Sequence, residues 1–288
     1  MLMPDGASAA TKKTVPVRKP ATPVMHRVAI PKTTSTYVLD LSTDAVRTAD
    51  RAEVVRPIAS LTKLMTAMVL LDAHADLDRT IVYNPKMHYA YRNWMHFATG
   101  DRIRGRELLY ATLTGSQNIP ARMLVPLTPY SEEEFVAHMN AKAQALGLTR
   151  TTFVDVHGLN PNNVSTASEV AKMFAAALMY PDINDALARK SVSIVWGNRW
   201  NKRRQSTFLH TNVLLKKKQL FAIEASKTGY LHEAGDTIAM RVRDPKSGRT
   251  AIVVTLGEPR RAPRFAVARW LSESATHIMQ IAGANIAP

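Results

Sequence analysis

A serine and a lysine one helical turn apart, Ser60-Leu61-Thr62-Lys63, are the pair with the most direct chemical consequence in this chain. A hydroxyl is a weak nucleophile until an adjacent base takes its proton. Residues three apart share one helix face, which brings an amine at 63 to the hydroxyl at 60. Lysine acts as that base only when its ammonium is destabilised, by burial or by a second cation. Two further strings fit the same chemistry: Ser116-Gln117-Asn118 and Lys227-Thr228-Gly229. Together they describe an acyl-transfer site with a nucleophile, a base, a hydroxyl and an amide to hydrogen-bond, and a cationic strand. Taken singly, each has a plainer explanation. Lys63 would snorkel from a surface helix, Ser116 and Asn118 would cap a loop, and Lys227 would be a solvated lysine on an edge strand.

The surrounding residues set the elements that must position these groups. Pro57 stiffens the approach, and Ser60 opens an apolar segment running through Leu71. Leu61, Leu64, Met65, Ala67, Met68, Val69, Leu70 and Leu71 leave almost no polar face, which predicts a helix buried on nearly all sides. Lys63 is thereby desolvated. A second helix is predicted over Arg104 to Leu113, with Leu108, Leu109 and Leu113 inward. Gly115 interrupts it and Pro120 bars helix continuation backwards, so Ser116-Gln117-Asn118 is predicted to form a loop tip. There Asn118 offers an amide donor to a carbonyl, and Ser116 passes a proton between Lys63 and a leaving amine. Phe221, Ile223 and Ala225 alternate with Ala222, Glu224 and Ser226, a strand that carries the third string. Gly229, lacking a Cβ, lets an extended peptide approach and pair. Lys227 and Thr228 suit a terminal carboxylate, and the backbone N–H groups of Ser60 and Tyr230 form the expected oxyanion hole.

The three strings are shared by penicillin-binding proteins and class A β-lactamases. Other stretches narrow the resemblance: Tyr37-Val38-Leu39-Asp40-Leu41, Thr152-Phe153-Val154-Asp155, His157-Gly158-Leu159, Asn163-Val164-Ser165-Thr166-Ala167, His210 to Leu215 and Lys227 to Gly235. Over about residues 35 to 283 the chain resembles the D-alanyl-D-alanine carboxypeptidase and endopeptidase family, peptidase S11, nearest its single-domain DD-endopeptidase branch. The resemblance implies an α/β (α+β) transpeptidase/β-lactamase-like domain, with an antiparallel sheet of about five strands flanked by helices. A mainly helical subdomain is expected over about 74–190 within a single domain at 33–284. It implies catalytic roles for Ser60, Lys63, Ser116 and Asn118, and substrate binding by Lys227, Thr228, Gly229 and Tyr230. Peptidoglycan stem peptides are the implied substrates, β-lactams the acylating inhibitors, and the periplasm the compartment. Two departures stand out. Asn118 is followed by Ile119-Pro120, and the chain does not run on into a second, β-rich domain with an amphipathic anchor, so no C-terminal membrane anchor is expected.

The residue pattern supports that plan without the family. Residues 36–41 and 45–49 are predicted as a hairpin, and a helix-rich stretch follows from about 60 to 189. Ser131 and Glu134 make a capping box ahead of Phe135, Met139, Ala143 and Leu146. Ser168 to Tyr180 is another apolar-faced helix. Val192, Ile194 and Trp196 alternate before Gly197-Asn198, a turn pair expected in a hairpin. Strands are predicted near 219–228, 236–243 and 250–257. A terminal helix carries Val267, Trp270, Leu271, Ile278 and Ile281 and is expected to end at Gly283.

Composition narrows the remaining classes. Residues 1–32 carry six Lys/Arg against Asp5 alone amid Ala, Thr and Pro, which predicts a disordered basic tail without a signal-peptide apolar core. No run of eighteen apolar residues occurs to cross a membrane. The net charge is +15, and Arg199 to Lys218 holds seven Lys/Arg and no acid, a surface suited to polyanions. Carboxylated stem peptides meet that description. Nucleic acid is the rival partner, but no helix-turn-helix, zinc-finger or RNP signature accompanies the run. There is no cysteine, no H-E-x-x-H and no G-x-S-x-G, so neither metal nor cofactor is expected. A class A β-lactamase needs a Glu-x-x-Leu-Asn-type loop, which is missing. A non-catalytic wall-binding protein has no need of Ser60, Lys63, Asn118 and Lys227 together. Between endopeptidase and carboxypeptidase, the single-domain build and the resemblance favour the first and leave the second open.

Overall fold

The computed structural model describes residues 33–284 apart from 92–93, 199, 201–202 and 261–263. The basic tail at 1–32 lies outside these residues. β1 (Ser35–Asp40) and β2 (Ala45–Asp50) form the opening hairpin, and β3 (Arg56–Pro57) leads through a tight turn at Ala59–Leu61 into α1 (Thr62–Asp72). Short elements follow: β4 (Thr80–Val82), α2 (Pro85–His88) and β5 (Arg102–Arg104). The helices α3 (Gly105–Leu113), α4 (Asn118–Met123) and α5 (Glu132–Ala145) come next. After β6 (Val164–Ser165), α6 (Ala167–Leu178) and α7 (Pro181–Ala188) complete the helical stretch. The chain then returns to strands: β7 (Ser191–Trp196), β8 (Arg204–Leu209), β9 (Ala222–Leu231), β10 (Gly235–Arg243) and β11 (Thr250–Glu258), closed by α8 (Ala266–Ala284).

Five strands pair antiparallel in the order β2-β1-β11-β10-β9, so the first hairpin joins the last strands and β9 lies at one edge. Strand periodicity explains how one sheet serves two cores. Ile252, Val254 and Leu256 of β11 face a large core with α1, α3, α5 and α6. Ala251 and Val253 face the other way, with Ile238, Met240 and Val242 of β10, onto Val267, Ala268 and Leu271 of α8. Helix α1 is buried from Thr62 to Leu70, as its nearly unbroken apolar sequence requires.

Two details differ from the sequence expectation. Gly197-Asn198 is not a two-residue turn: β7 and β8 pair from Trp196 and Arg204 outward, with 197–203 between them. Gly197 instead exchanges backbone bonds with Arg102 of β5, at 2.8 and 3.3 Å. Helix α8 also runs through Gly283 to Ala284, because a lone glycine costs a helix only about 1 kcal/mol and stops it only where the chain leaves helical geometry. Part of the basic run has internal work. Arg204 pairs with the buried Asp101 carboxylate and lies 5.4 Å over the Trp196 ring.

The capping box at α5 forms as the sequence specifies: Ser131 Oγ accepts from Glu134 N at 3.2 Å, and Glu134 Oε2 accepts from Ser131 N at 2.8 Å. Ser131→Ala should lower the unfolding free energy by about 1 kcal/mol in a urea titration. An unchanged midpoint would mean the cap contributes nothing.

Candidate active site

The turn that presents Ser60 is held from three directions. Ile58 N donates to Asn163 O at 3.0 Å, Thr62 Oγ1 donates to Ala59 O at 2.7 Å, and Gly158 lies flush against Ala59 O. Ala59 has φ +48 and Ser116 φ +55, so two non-glycine residues hold left-handed backbone, one directly before Ser60 and one in the cleft lining. Strained backbone persists only where its surroundings over-determine it, as the packing around Ala59 does here.

Lys63 is fully buried one turn beyond Ser60. Its Nζ lies 2.9 Å from Ser60 Oγ and 2.9 Å from Asn118 Oδ1, and it also donates to the His157 carbonyl. Burial pulls the ammonium from its ordinary 10.5 down to about 7, with the charge of Asp155 opposing. The neutral amine has two N–H bonds and one lone pair. Asn118 Oδ1 and the His157 carbonyl can only accept, so they take both N–H bonds and leave the lone pair for the Ser60 hydroxyl.

Lys227 is equally buried, and its Nζ donates to Ser116 Oγ at 2.7 Å and Thr228 O at 2.9 Å. Burial, then the charge of Lys63, pulls it well below its ordinary value. Two ammonium groups coupled inside one dry site cannot both ionise cheaply. Behind β9, His210 Nε2 pairs with Ser226 O at 2.9 Å while Nδ1 accepts from Asn212 N at 3.0 Å. Burial and the Lys227 charge push the imidazole down to about 4, so at neutral pH it is an uncharged brace for the strand.

The structure gathers all eight residues singled out in the sequence. Ser60, Ser116, Asn118, Thr228, Gly229 and Tyr230 line one cleft of about 640 Å³, with Lys63 and Lys227 bonded to its lining. Gly229 is required by close approach: a Cβ there would stand 2.6 Å from Thr237 Oγ1 and 2.8 Å from Ser60 N. Thr228 Oγ1 meets Thr211 Oγ1 at 2.5 Å, and Arg260 stacks 4.0 Å over the Tyr230 ring. Two expectations need correction. Asn118 is not at a loop tip but starts α4, and Pro120 sits in that first turn, where its missing N–H is no loss. Ser116 bonds to Lys227 rather than Lys63, because its left-handed backbone turns the hydroxyl toward β9. Asn118 Nδ2 donates to Tyr91 O at 3.0 Å, leaving its second N–H for a ligand.

Sequence reasoning missed the His157 carbonyl, Asp155, Thr211 and Arg260. The segment around 152–159 stood out by resemblance, but a backbone carbonyl carries no residue-type signal. Among the described residues, no group of three His, Cys, Asp or Glu side chains could hold a metal ion, and no helix is long and apolar enough to cross a membrane.

This architecture is that of the penicillin-binding class of domains. A D-alanyl-D-alanine carboxypeptidase structure from Mycobacterium tuberculosis superposes with a TM-score of 0.72 at 25% identity, covering 91% of this chain and 95% of that one. Residues 25–260 match peptidase S11, described as D-alanyl-D-alanine carboxypeptidase, and the chain belongs to that family. It is 34% identical over 211 residues to a D-alanyl-D-alanine endopeptidase of Escherichia coli K12, 72% of this chain and 66% of that protein. A D-alanyl-D-alanine endopeptidase of Pseudomonas aeruginosa is 33% identical over 223 residues, 76% of this chain and 70% of that protein. The chain thus spans about two thirds of the length of these relatives.

Gly158 has φ +80, and a Cβ there would fall 2.1 Å from Ala59 O. Gly158→Ala is expected to cost about 1–3 kcal/mol of stability and to displace the Ser60 turn. Thermal melting followed by circular dichroism measures this, and a wild-type melting curve would contradict the close approach.

Proposed function

We propose that this chain is a peptidoglycan DD-endopeptidase that cleaves D-Ala cross-links through an acyl-enzyme on Ser60. The observation that carries the reading is the buried Lys63 amine 2.9 Å from Ser60 Oγ. β9 is the last strand of its sheet, so a peptide can add along its outer edge beside Ser60. Lys227, Thr228, Gly229 and Tyr230 then hold the peptide. Gly229 admits its backbone and the cations attract its carboxylates.

Lys63 takes the hydroxyl proton as Ser60 Oγ bonds to the carbonyl carbon of D-Ala. The oxyanion rests on the backbone N–H groups of Ser60 and Tyr230. Collapse breaks the C–N bond, and the departing amine takes a proton from Ser116. Lys227, bonded to that hydroxyl at 2.7 Å, replaces the proton and is reprotonated by the water of the deacylation step, while Lys63 holds the Ser60 proton and returns it to Oγ when the ester breaks. Asn118 orients Lys63 and offers its free N–H to the substrate. Water then hydrolyses the ester. β-Lactams acylate the same serine, and the setting is the periplasm. The endopeptidase choice rests on the two relatives of that name at 34% and 33% identity. Carboxypeptidase activity is the second reading, favoured by the name of the superposed structure.

Digestion of purified cross-linked and uncross-linked muropeptides tests both. Dimers should be cut, and Ser60→Ala should reduce the rate by about 10³-fold or more. Loss of terminal D-Ala alone would select the carboxypeptidase, and undiminished activity in the variant would overturn the reading. Acylation of Ser60 by a labelled penicillin should rise with pH through about 7, as Lys63 loses its proton. A rate flat across that range would remove Lys63 as the base.

A further inference from the structure

Residues 155–160 make a turn whose Gly158 and Leu159 line the cleft, and the reaction steps above assign it no part. Asp155 organises it. Its Oδ1 accepts from His157 N at 3.0 Å and Gly158 N at 2.5 Å, and its Oδ2 accepts from Asn160 N at 2.7 Å. His157 Nδ1 lies 3.3 Å from Oδ1, and the Asp155 side chain is only 13% exposed. Its own backbone is tied down as well, since Asn163 Oδ1 accepts from Val154 N at 2.9 Å and Asp155 N at 3.3 Å.

The turn rests on α1 at successive residues. Thr66 Oγ1 donates to Val156 O at 2.7 Å, and Lys63 Nζ donates to His157 O. Gly158 then packs against Ala59 O, directly before the nucleophile. One carboxylate therefore fixes the backbone that touches both Lys63 and the Ser60 turn.

We propose that Asp155 is a positioning residue for the Ser60–Lys63 pair, shaping the 155–160 turn so that the His157 carbonyl binds one N–H of Lys63 and aims its lone pair at Ser60. Its charge has a second effect on the same amine. Among the described residues, Asp155 from this turn raises the basicity of Lys63, and Lys227 from β9 is buried with it at like charge. His157 contributes its carbonyl to Lys63 and its ring to Asp155, and the start of α4 presents the neutral amide of Asn118. Burial pushes the Asp155 carboxyl up, but the hydrogen bond and charge of His157 and the N–H groups of Gly158 and Asn160 hold it far below the usual carboxylate range. It is therefore ionised wherever the enzyme works. This inference rests on the acyl-enzyme reading, in which Lys63 must be both neutral and correctly aimed.

The test is the pH profile of Ser60 acylation by a labelled penicillin, with KM and kcat measured on a cross-linked muropeptide dimer. Asp155→Asn removes the charge and one acceptor from the turn. The midpoint should fall by about one pH unit, the high-pH plateau should fall about tenfold or more as the amine loses its aim, and KM should stay near wild type. Asp155→Glu restores the charge on a longer stem, so the midpoint should return while the plateau stays low. If Asp155→Asn does not fold, Asp155→Glu carries the test through its plateau. A folded Asn variant with wild-type midpoint and plateau, or a Glu variant with a wild-type plateau, would overturn the role of Asp155. Absence of Ser60 acylation in the wild-type protein would instead overturn the underlying reading.

Discussion

The buried amine of Lys63 is the contact on which the rest of this structure depends. An ammonium sealed among Leu61, Leu64 and Met65 is costly, and the molecule answers that cost with neutrality and three oxygen partners. Each partner comes from a different part of the chain. Ser60 is local, Asn118 arrives on α4, and the His157 carbonyl arrives on the Asp155 turn. Three separate segments of the helical stretch therefore meet on this one nitrogen, with Lys227 of β9 buried in the same site.

The second constraint is closeness of backbone. Gly158 and Gly229 bring two segments against the Ser60 turn, nearer than any side chain permits. Ala59 takes up the resulting strain in its left-handed conformation. This packing leaves the Ser60 N–H beside the open edge of β9, where an extended peptide finds both a strand to pair with and a nucleophile to meet.

Much of this was legible in the sequence because it rests on residue type and period. The largely apolar run after Ser60 specifies a buried helix, and burial of Lys63 follows from it. Alternation over 221–224 marks the strand that carries Lys227, although a register shift sends Ala225 to the opposite core, and the Ser131–Glu134 box marks a helix start to the residue. What stayed hidden depends on backbone or distant partners. The carbonyl of His157 has no side-chain signature. The turn of Ser116 toward Lys227 depends on a φ angle that a serine rarely adopts. Pro120 reads as a helix breaker but also fits a helix's first turn, and only the fold decides between them. Gly197-Asn198 reads as a tight turn, yet Gly197 was drawn into pairing with Arg102, a partner far away in sequence.

The central claim is that the Lys63 amine is uncharged in a large fraction of molecules at neutral pH. Direct titration of lysine side chains by NMR, with Lys63 assigned by substitution, measures this without substrate or inhibitor. The account expects the Lys63 resonance to titrate near 7, far below the ordinary 10.5, and to vanish in Lys63→Arg. A Lys63 resonance that keeps its proton up to about 10, as a solvated lysine does, would contradict it.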